Sequence, residues 1–260
     1  MYDKEVIREH YKKQAEEFGD SPKSTMEEQV IRDKEMVVIK KTLVSQIIVG
    51  SANRVLDLGC GNGYALSELR KMFTDTGNWI GVDFTQEFVD IANKRNLNKC
   101  EFLQGDATNL EFKDNHFDFI YTERCLINIM SWEDQKKALD EIHRVLKPGG
   151  KFLMIECFTD GMDNNNKARE EMGLDHIGPA HHNFYFEKGK FFEHIASTFS
   201  DVDRTNENFL STHYFVARIL HPLVTKGEWK KNTEFVRFFG QMPPYGNYSP
   251  IQALILKKGI

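Results

Sequence analysis

The run Val55-Leu56-Asp57-Leu58 is apolar around a single acid, and it breaks at once into Gly59-Cys60-Gly61-Asn62-Gly63, with glycine at every second position. A helix-like segment, Tyr64 to Met72, follows without a linker. A buried strand that ends in bare backbone and feeds a helix is the first half of a βα unit. It commits the chain to a parallel sheet, because the helix must cross back before the next strand can pair. The following hundred residues keep the alternation. Strand patterns fall near 54–58, 79–83, 100–104, 117–122 and 151–157, and helical ones near 64–73, 85–95 and 132–146. This predicts a doubly wound α/β fold.

The flanks read differently. Residues 2–17 are helix-like and charged. After Gly19-Asp20-Ser21-Pro22 a second helix is expected from the capping-box pattern Thr25-Met26-Glu27-Glu28, with an apolar stripe of Met26, Val30, Val37, Val44 and Ile48. Lys147-Pro148-Gly149-Gly150 closes the last core helix and turns the chain into a strand. Residues 159–187 are polar, with Asn164-Asn165-Asn166 and the cluster His181-His182-Asn183-Phe184-Tyr185-Phe186, and read as a long loop serving as a lid. A helix over 188–198, strands over 200–208 and 211–219 and a final apolar strand, Ala253 to Leu256, complete the reading. The chain divides as one domain over 1–260: N-terminal lid helices (1–50), a core (51–158), a substrate lid (159–187) and a C-terminal helix with antiparallel strands (188–260).

Composition excludes several classes. Lys and Arg number 34 against 39 Asp and Glu, a net charge of −5, so no global basic field favours nucleic acid. No run of about 18 apolar residues suits a membrane span. The charged start Met1-Tyr2-Asp3-Lys4-Glu5 lacks an apolar signal core. Cys60, Cys100, Cys125 and Cys157 form no CxxC pair and read as reduced thiols. A cytoplasmic location is expected, with the oligomeric state left open.

Gly59-x-Gly61-x-Gly63 departs from the dinucleotide fingerprint GxGxxG, since its third glycine comes one residue early and Tyr64 follows. Three further marks lie at strand ends: Asp83 after Trp79-Ile80-Gly81-Val82, Gly105-Asp106-Ala107, and Thr122-Glu123-Arg124 after Phe117-Asp118-Phe119-Ile120-Tyr121. A carboxylate at the tip of the second strand can accept from two ribose hydroxyls. Ligands of open α/β sheets bind at these carboxyl ends.

The set Asp57-Leu58-Gly59-Cys60-Gly61-Asn62-Gly63, Asp83, Asp106 and Leu146-Lys147-Pro148-Gly149-Gly150 resembles class I S-adenosylmethionine-dependent methyltransferases over about residues 54–157. The resemblance implies a Rossmann-like, mostly parallel seven-stranded sheet with S-adenosylmethionine as cofactor. It implies that backbone carbonyls of the turn, with Asp57 nearby, receive the ammonium group. Asp83 then takes the ribose, and Asp106 with the Ala107 N–H takes the adenine. Gly59, Gly61, Phe84, Thr122 and Glu123 belong to the same expected set. His10-Tyr11-x-x-x-Ala15-x-x-Phe18 is similar to the aromatic lid segment of small-molecule members, with Tyr11 over the cofactor and Arg32 paired to its carboxylate. Each mark also has an ordinary alternative. Asp83 can cap the next helix, Asp106 can close a turn, Tyr11 can pack on the sheet and Arg32 can be a solvated charge.

Methyl transfer from a sulfonium needs an aligned acceptor, excluded water and one managed proton. His182 is the expected general base, with His181 as second choice and a solvated pair as the alternative, because imidazole titrates near neutrality. The context Pro179 to Tyr185, with Glu123 to Asn128 and Gly246 to Pro250, loosely resembles methyltransferases of bacterial surface-sugar and secondary-metabolite pathways. The expected reaction is methylation of an O or N atom of a small metabolite, such as a sugar derivative. A cofactor-binding protein without catalysis, a nicotinamide-dependent reductase and a nucleic-acid methyltransferase are the competing readings. No Asn-Pro-Pro-Tyr-type motif follows the fourth strand. His176, His181 and His182 with Asp160, Asp163 or Asp175 match no tight ligand spacing, so no metal is expected.

Overall fold

The computed structural model describes residues 4–47, 52–227 and 230–260. Seven strands form one sheet: β1 (Arg54–Leu58), β2 (Asn78–Asp83), β3 (Cys100–Gln104), β4 (Phe117–Glu123), β5 (Leu146–Cys157), β6 (Phe199–Asp203) and β7 (Ile251–Lys258). Their order is β3-β2-β1-β4-β5-β7-β6, and only β7 runs antiparallel to its neighbours. The sequence places the strands well because the central ones are buried on both faces and read as continuous apolar runs. Leu56, Phe117, Ile120 and Leu153 are all without exposed surface.

Helices α3 (Tyr64–Met72), α4 (Gln86–Asn93) and α5 (Trp132–Val145) make the crossovers. In α5, Ser131 accepts from the Asp134 N–H as N-cap, and Ala138, Leu139, Ile142 and Val145 bury one helical face against the sheet. Strand order reverses between β1 and β4, which opens the crevice where this architecture holds ligands. Helix α1 (Lys4–Phe18) and helix α2 (Gln29–Gln46) stand over that end.

Five expectations on the flanks are corrected. The stripe on α2 is wrong: Val37 and Val44 are 48% and 57% exposed, whereas Ile31, Glu35, Met36, Ile39, Thr42 and Leu43 are buried. Steps of seven drift around a straight helix, and the buried face contains polar residues that an apolar count passes over. Ile48, the last residue of that stripe, lies outside the described residues. The capping box does not form either. Thr25 accepts from the Arg32 guanidinium, and the helix starts only at Gln29, because Glu28 is drawn to Arg218.

Residues 159–187 are not one long loop. Thr159–Glu171 is helix α6, and the asparagines read as loop signals are ties: Asn164, Asn165 and Asn166 donate to the carbonyls of Asn247, Tyr248 and Ile177. The strand expected over 211–219 is helical, α8 (Ser211–Phe215) running into a π-helical turn, Val216–Leu220, and α9 (His221–Val224). Its aromatic and β-branched residues suit a strand by propensity, but His213, Tyr214, Val216, Ala217 and Ile219 are buried at helical spacing. Of the strand expected over 200–208, only Phe199–Asp203 pairs. Helix α7 (Lys188–Ile195) and helix α10 (Glu234–Gly240) complete the described chain.

Candidate functional site

The crevice at the β1–β4 reversal is a cleft with about 1080 Å³ of space open to solvent. Its floor is the glycine turn. Gly59 (φ +84°) and Gly61 (φ +52°) occupy left-handed backbone that side chains rarely adopt. A Cβ on Gly59 would stand 2.5 Å from the Cys125 Cβ, so the turn and the end of β4 approach closer than any side chain permits.

Asp83 holds this turn in place. One carboxylate oxygen accepts from the Gly61 N–H at 2.8 Å and the other from the Thr85 N–H at 2.9 Å. Burial raises its pKa, and these donors oppose the rise. The carboxylate is therefore a cap and a turn anchor at once, and it still lines the cleft. Tyr11, Arg32, Gly59, Gly61, Phe84, Asp106, Ala107 and Glu123 line the same cleft.

Asp57 and Thr122 do not line it. Both are buried within the sheet, with at most 1% exposed. Asp57 faces Tyr121 across the strands, and burial, reinforced by the charge of Glu123, pushes its carboxyl well above the ordinary range. Asp106 is engaged too: Lys4 reaches one oxygen at 2.5 Å and the Thr108 N–H and hydroxyl share the other. Burial works against ionisation there, but these donors outweigh it and lower the pKa.

Two cations and two acids meet at one end. Glu35, fully buried, takes a bidentate pair from Arg124 at 2.8 and 3.2 Å, and Arg124 also donates to the Thr25 carbonyl at 3.0 Å. Arg124 holds φ +55°, a strained conformation fixed by these contacts. Glu123 is raised to about 7 by burial and by the charge of Glu35, while Arg32 and Arg124 oppose the shift. Arg32 is 6% exposed and gives one bond to Thr25, yet its Nε is buried with no partner. An orphaned guanidinium N–H in a cleft is a position for an incoming carboxylate.

Three positioning residues carry no signal in the sequence. Asn62 donates to the carbonyls of Gly19 and Ser21, lashing the segment between α1 and α2 onto the turn. Glu156, buried at the end of β5, accepts from the N–H groups of Cys125, Leu126 and Ile127 at 3.0, 3.0 and 3.2 Å. It thereby holds the 3₁₀ turn Leu126–Asn128, whose Asn128 accepts from the Tyr11 hydroxyl at 2.9 Å. Gln135, on α5, donates to the carbonyls of Leu126 and Phe184 and joins that turn to the loop carrying the histidine pair.

The expected general bases stand elsewhere. Neither His181 nor His182 lines the cleft. His182 stacks on His10 of α1 with ring centroids 4.0 Å apart and meets Tyr11 edge-on at 6.0 Å, and His181 is exposed beside it. The Phe184 N–H bonds to the Ile127 carbonyl and fixes the loop in that position. Burial and the neighbouring histidines lower the His182 pKa to about 4, so it is neutral near pH 7 and a weak base. A second opening of about 950 Å³ lies among the cap elements, bordered by Met162, Arg169, Tyr185, Tyr214 and Arg218.

A family described as a methyltransferase domain matches residues 55–150, the span that holds the turn, Asp83, Asp106 and Glu123. The sheet order gives the described chain a Rossmann-like fold that is similar to solved methyltransferase structures. A putative S-adenosylmethionine-dependent methyltransferase from Methanococcus maripaludis superposes with a TM-score of 0.53 at 17% identity, over 100% of this chain and 97% of that one. Phosphoethanolamine N-methyltransferase 2 of Haemonchus contortus, solved with S-adenosyl-L-methionine, gives a TM-score of 0.53 at 16% identity, over 85% of this chain and 52% of that one. In sequence, the domain is 33% identical over 119 residues to the demethylmenaquinone methyltransferase of Staphylococcus saprophyticus, covering 45% of this chain and 50% of the relative. The Lactobacillus johnsonii enzyme of the same name is 37% identical over 122 residues, 45% of this chain and 49% of the relative. The chain thus spans about half the length of the curated relatives it matches.

Proposed function

We propose that this chain is a methyltransferase that binds S-adenosylmethionine in the β1–β4 cleft and delivers its methyl group to a small-molecule acceptor. The observation that carries the reading is convergence. A glycine turn, the Asp83 carboxylate, Asp106 and the Arg32–Glu123 pair come from separate elements and face one cleft. The orphaned Arg32 Nε suits the carboxylate of an amino-acid ligand, and Glu123 beside it suits the ammonium group. Asp83 offers further lone pairs to two ribose hydroxyls, and Asp106 offers an acceptor to the adenine amino group once Lys4 shares it. When bound, the cofactor supplies an activated methyl group on a sulfonium. The protein's part is to orient both partners and exclude water.

The acceptor side belongs to residues beyond β5. The second opening sets two phenols and two guanidinium groups around apolar surface, which suits a hydroxylated or anionic small molecule. An O or N acceptor on a metabolite such as a sugar derivative fits that lining. The name of the matched relatives adds a quinone as an acceptor class to be tried. No helix among the described residues is long and apolar enough to cross a membrane.

Calorimetry with S-adenosylmethionine and S-adenosylhomocysteine tests the cofactor reading. One site is expected for each, and absence of binding by both overturns it. Saturable binding of NADH in its place would support the reductase alternative. Transfer of a labelled methyl group to demethylmenaquinone or to sugar metabolites then separates the acceptor classes.

A further inference from the structure

His10, His181 and His182 are the one place among the described residues where three side chains of the types His, Cys, Asp or Glu bring ligand atoms together, all within 4.8 Å of one another. The sequence does not reveal it, because His10 lies on α1 and the other two on the loop that precedes α7. His176 and Asp160 are engaged elsewhere: His176 lies 3.6 Å from Glu170, and Asp160 is bound by Lys188 and Gln252.

We propose that His10, His181 and His182 form a binding site for a divalent first-row transition ion, with Zn²⁺ as the reference, that clips α1 to the lid loop beside Tyr11. Three observations carry this. The donor set is all imidazole, which selects Zn²⁺, Co²⁺, Ni²⁺ or Cu²⁺ over Mg²⁺ and Ca²⁺. The Nδ1 of His182 is buried with no partner, so one ring nitrogen is left unused. The loop is held by main-chain and Gln135 bonds, so two of the three ligands stand on a fixed support.

Tetrahedral Zn²⁺ with bonds of roughly 2.0–2.1 Å needs its nitrogens about 3.3 Å apart, a contraction within reach of ring rotation. His10 and His182 are stacked at an interplanar angle of 25°, so one ring must turn for their lone pairs to converge. Three protein ligands leave a fourth position open, as in sites that exchange water or an oxygen ligand. Tyr11, next in sequence to His10, lines the cofactor cleft, so an ion that fixes α1 here also fixes that wall.

The test uses the full chain without a polyhistidine tag, stripped with a chelator and titrated with Co²⁺. Saturable visible absorption at one ion per chain, displaced by Zn²⁺, is expected. Each of His10→Ala, His181→Ala and His182→Ala should weaken Co²⁺ binding by about tenfold or more. His176→Ala in the same region should not change it. His181 is exposed, so its variant stays informative if His182→Ala fails to fold. Absence of saturable binding, or equal affinity in His181→Ala and the parent chain, overturns the proposal. Because the readout is metal binding alone, it stands or falls independently of the methyltransferase reading.

Discussion

Asp83→Asn separates the two roles that the structure gives this side chain. The carboxylate accepts from Gly61 on one oxygen and from Thr85 on the other. Asparagine keeps one acceptor and turns a donor towards the other N–H, so one charge-assisted bond is lost. Such bonds are worth about 1.5–3 kcal/mol. In a chain of this size 1 kcal/mol corresponds to roughly 2–4 °C of melting temperature, so a fall of about 3–12 °C is expected. The ribose hydroxyls would lose an anionic acceptor as well, and a similar energy corresponds to roughly 10- to 150-fold in affinity. Melting by scanning fluorimetry and calorimetry with S-adenosylhomocysteine, run well below the variant's melting temperature, read the two effects separately. If the melting temperature falls as expected while affinity stays within about twofold, Asp83 is a turn anchor only and the ribose assignment is refuted.

Two further outcomes follow from the geometry. Gly59→Ala should collapse soluble yield or melt far below the parent, because its Cβ meets Cys125 at 2.5 Å. Gly61→Ala meets only the Thr25 methyl at 3.4 Å and should fold with a strain of about 1–2 kcal/mol; equal melting of the two variants would contradict the close approach. For the acid limb of stability, the buried Glu28 carboxyl is the sensitive group. Burial alone would raise its pKa, but His213, 3.5 Å away, and the charge and hydrogen bonds of Arg218 lower it from 4.5 to about 2. A lowered carboxyl contributes stability above its unfolded value that is lost as pH falls through 4.5 towards 2, on the order of 3 kcal/mol in all. Glu28→Gln should therefore be less stable than the parent at pH 7, with the gap closing in acid. Parallel urea-derived stability curves from neutral to acid pH would show that the group contributes nothing to the acid limb.

Most parts of the site legible in the sequence share one property: they lie where an apolar run stops, Tyr11 and Arg32 on the N-terminal helices being the exceptions. Gly59, Asp83, Asp106 and Glu123 each lie at or just after the carboxyl end of a strand. The illegible parts sit inside elements. Glu35 on α2, Gln135 on α5 and Glu156 in β5 read as ordinary polar residues, and only the fold shows that each is fully buried with partners from distant segments. The same limit explains the misread flank. Polar asparagines over 164–166 look like a loop until Asn247, Tyr248 and Ile177 supply their acceptors. His10 joins His181 and His182 only because α1 folds back over the sheet, which no local pattern encodes.

The lid loop is moored through atoms that every residue possesses. The Phe186 N–H binds the Cys157 carbonyl, the Thr159 N–H binds the Phe186 carbonyl, and the Phe184 N–H binds the Ile127 carbonyl. Moorings of this kind do not depend on which side chains the loop carries. Sequence change between residues 172 and 185 can then re-shape the surface that the loop presents, under the proposed function the surface offered to an acceptor, while its attachment to the β4 and β5 ends stays the same. Descendants of this chain have a route to new acceptors that leaves the cofactor's seat untouched.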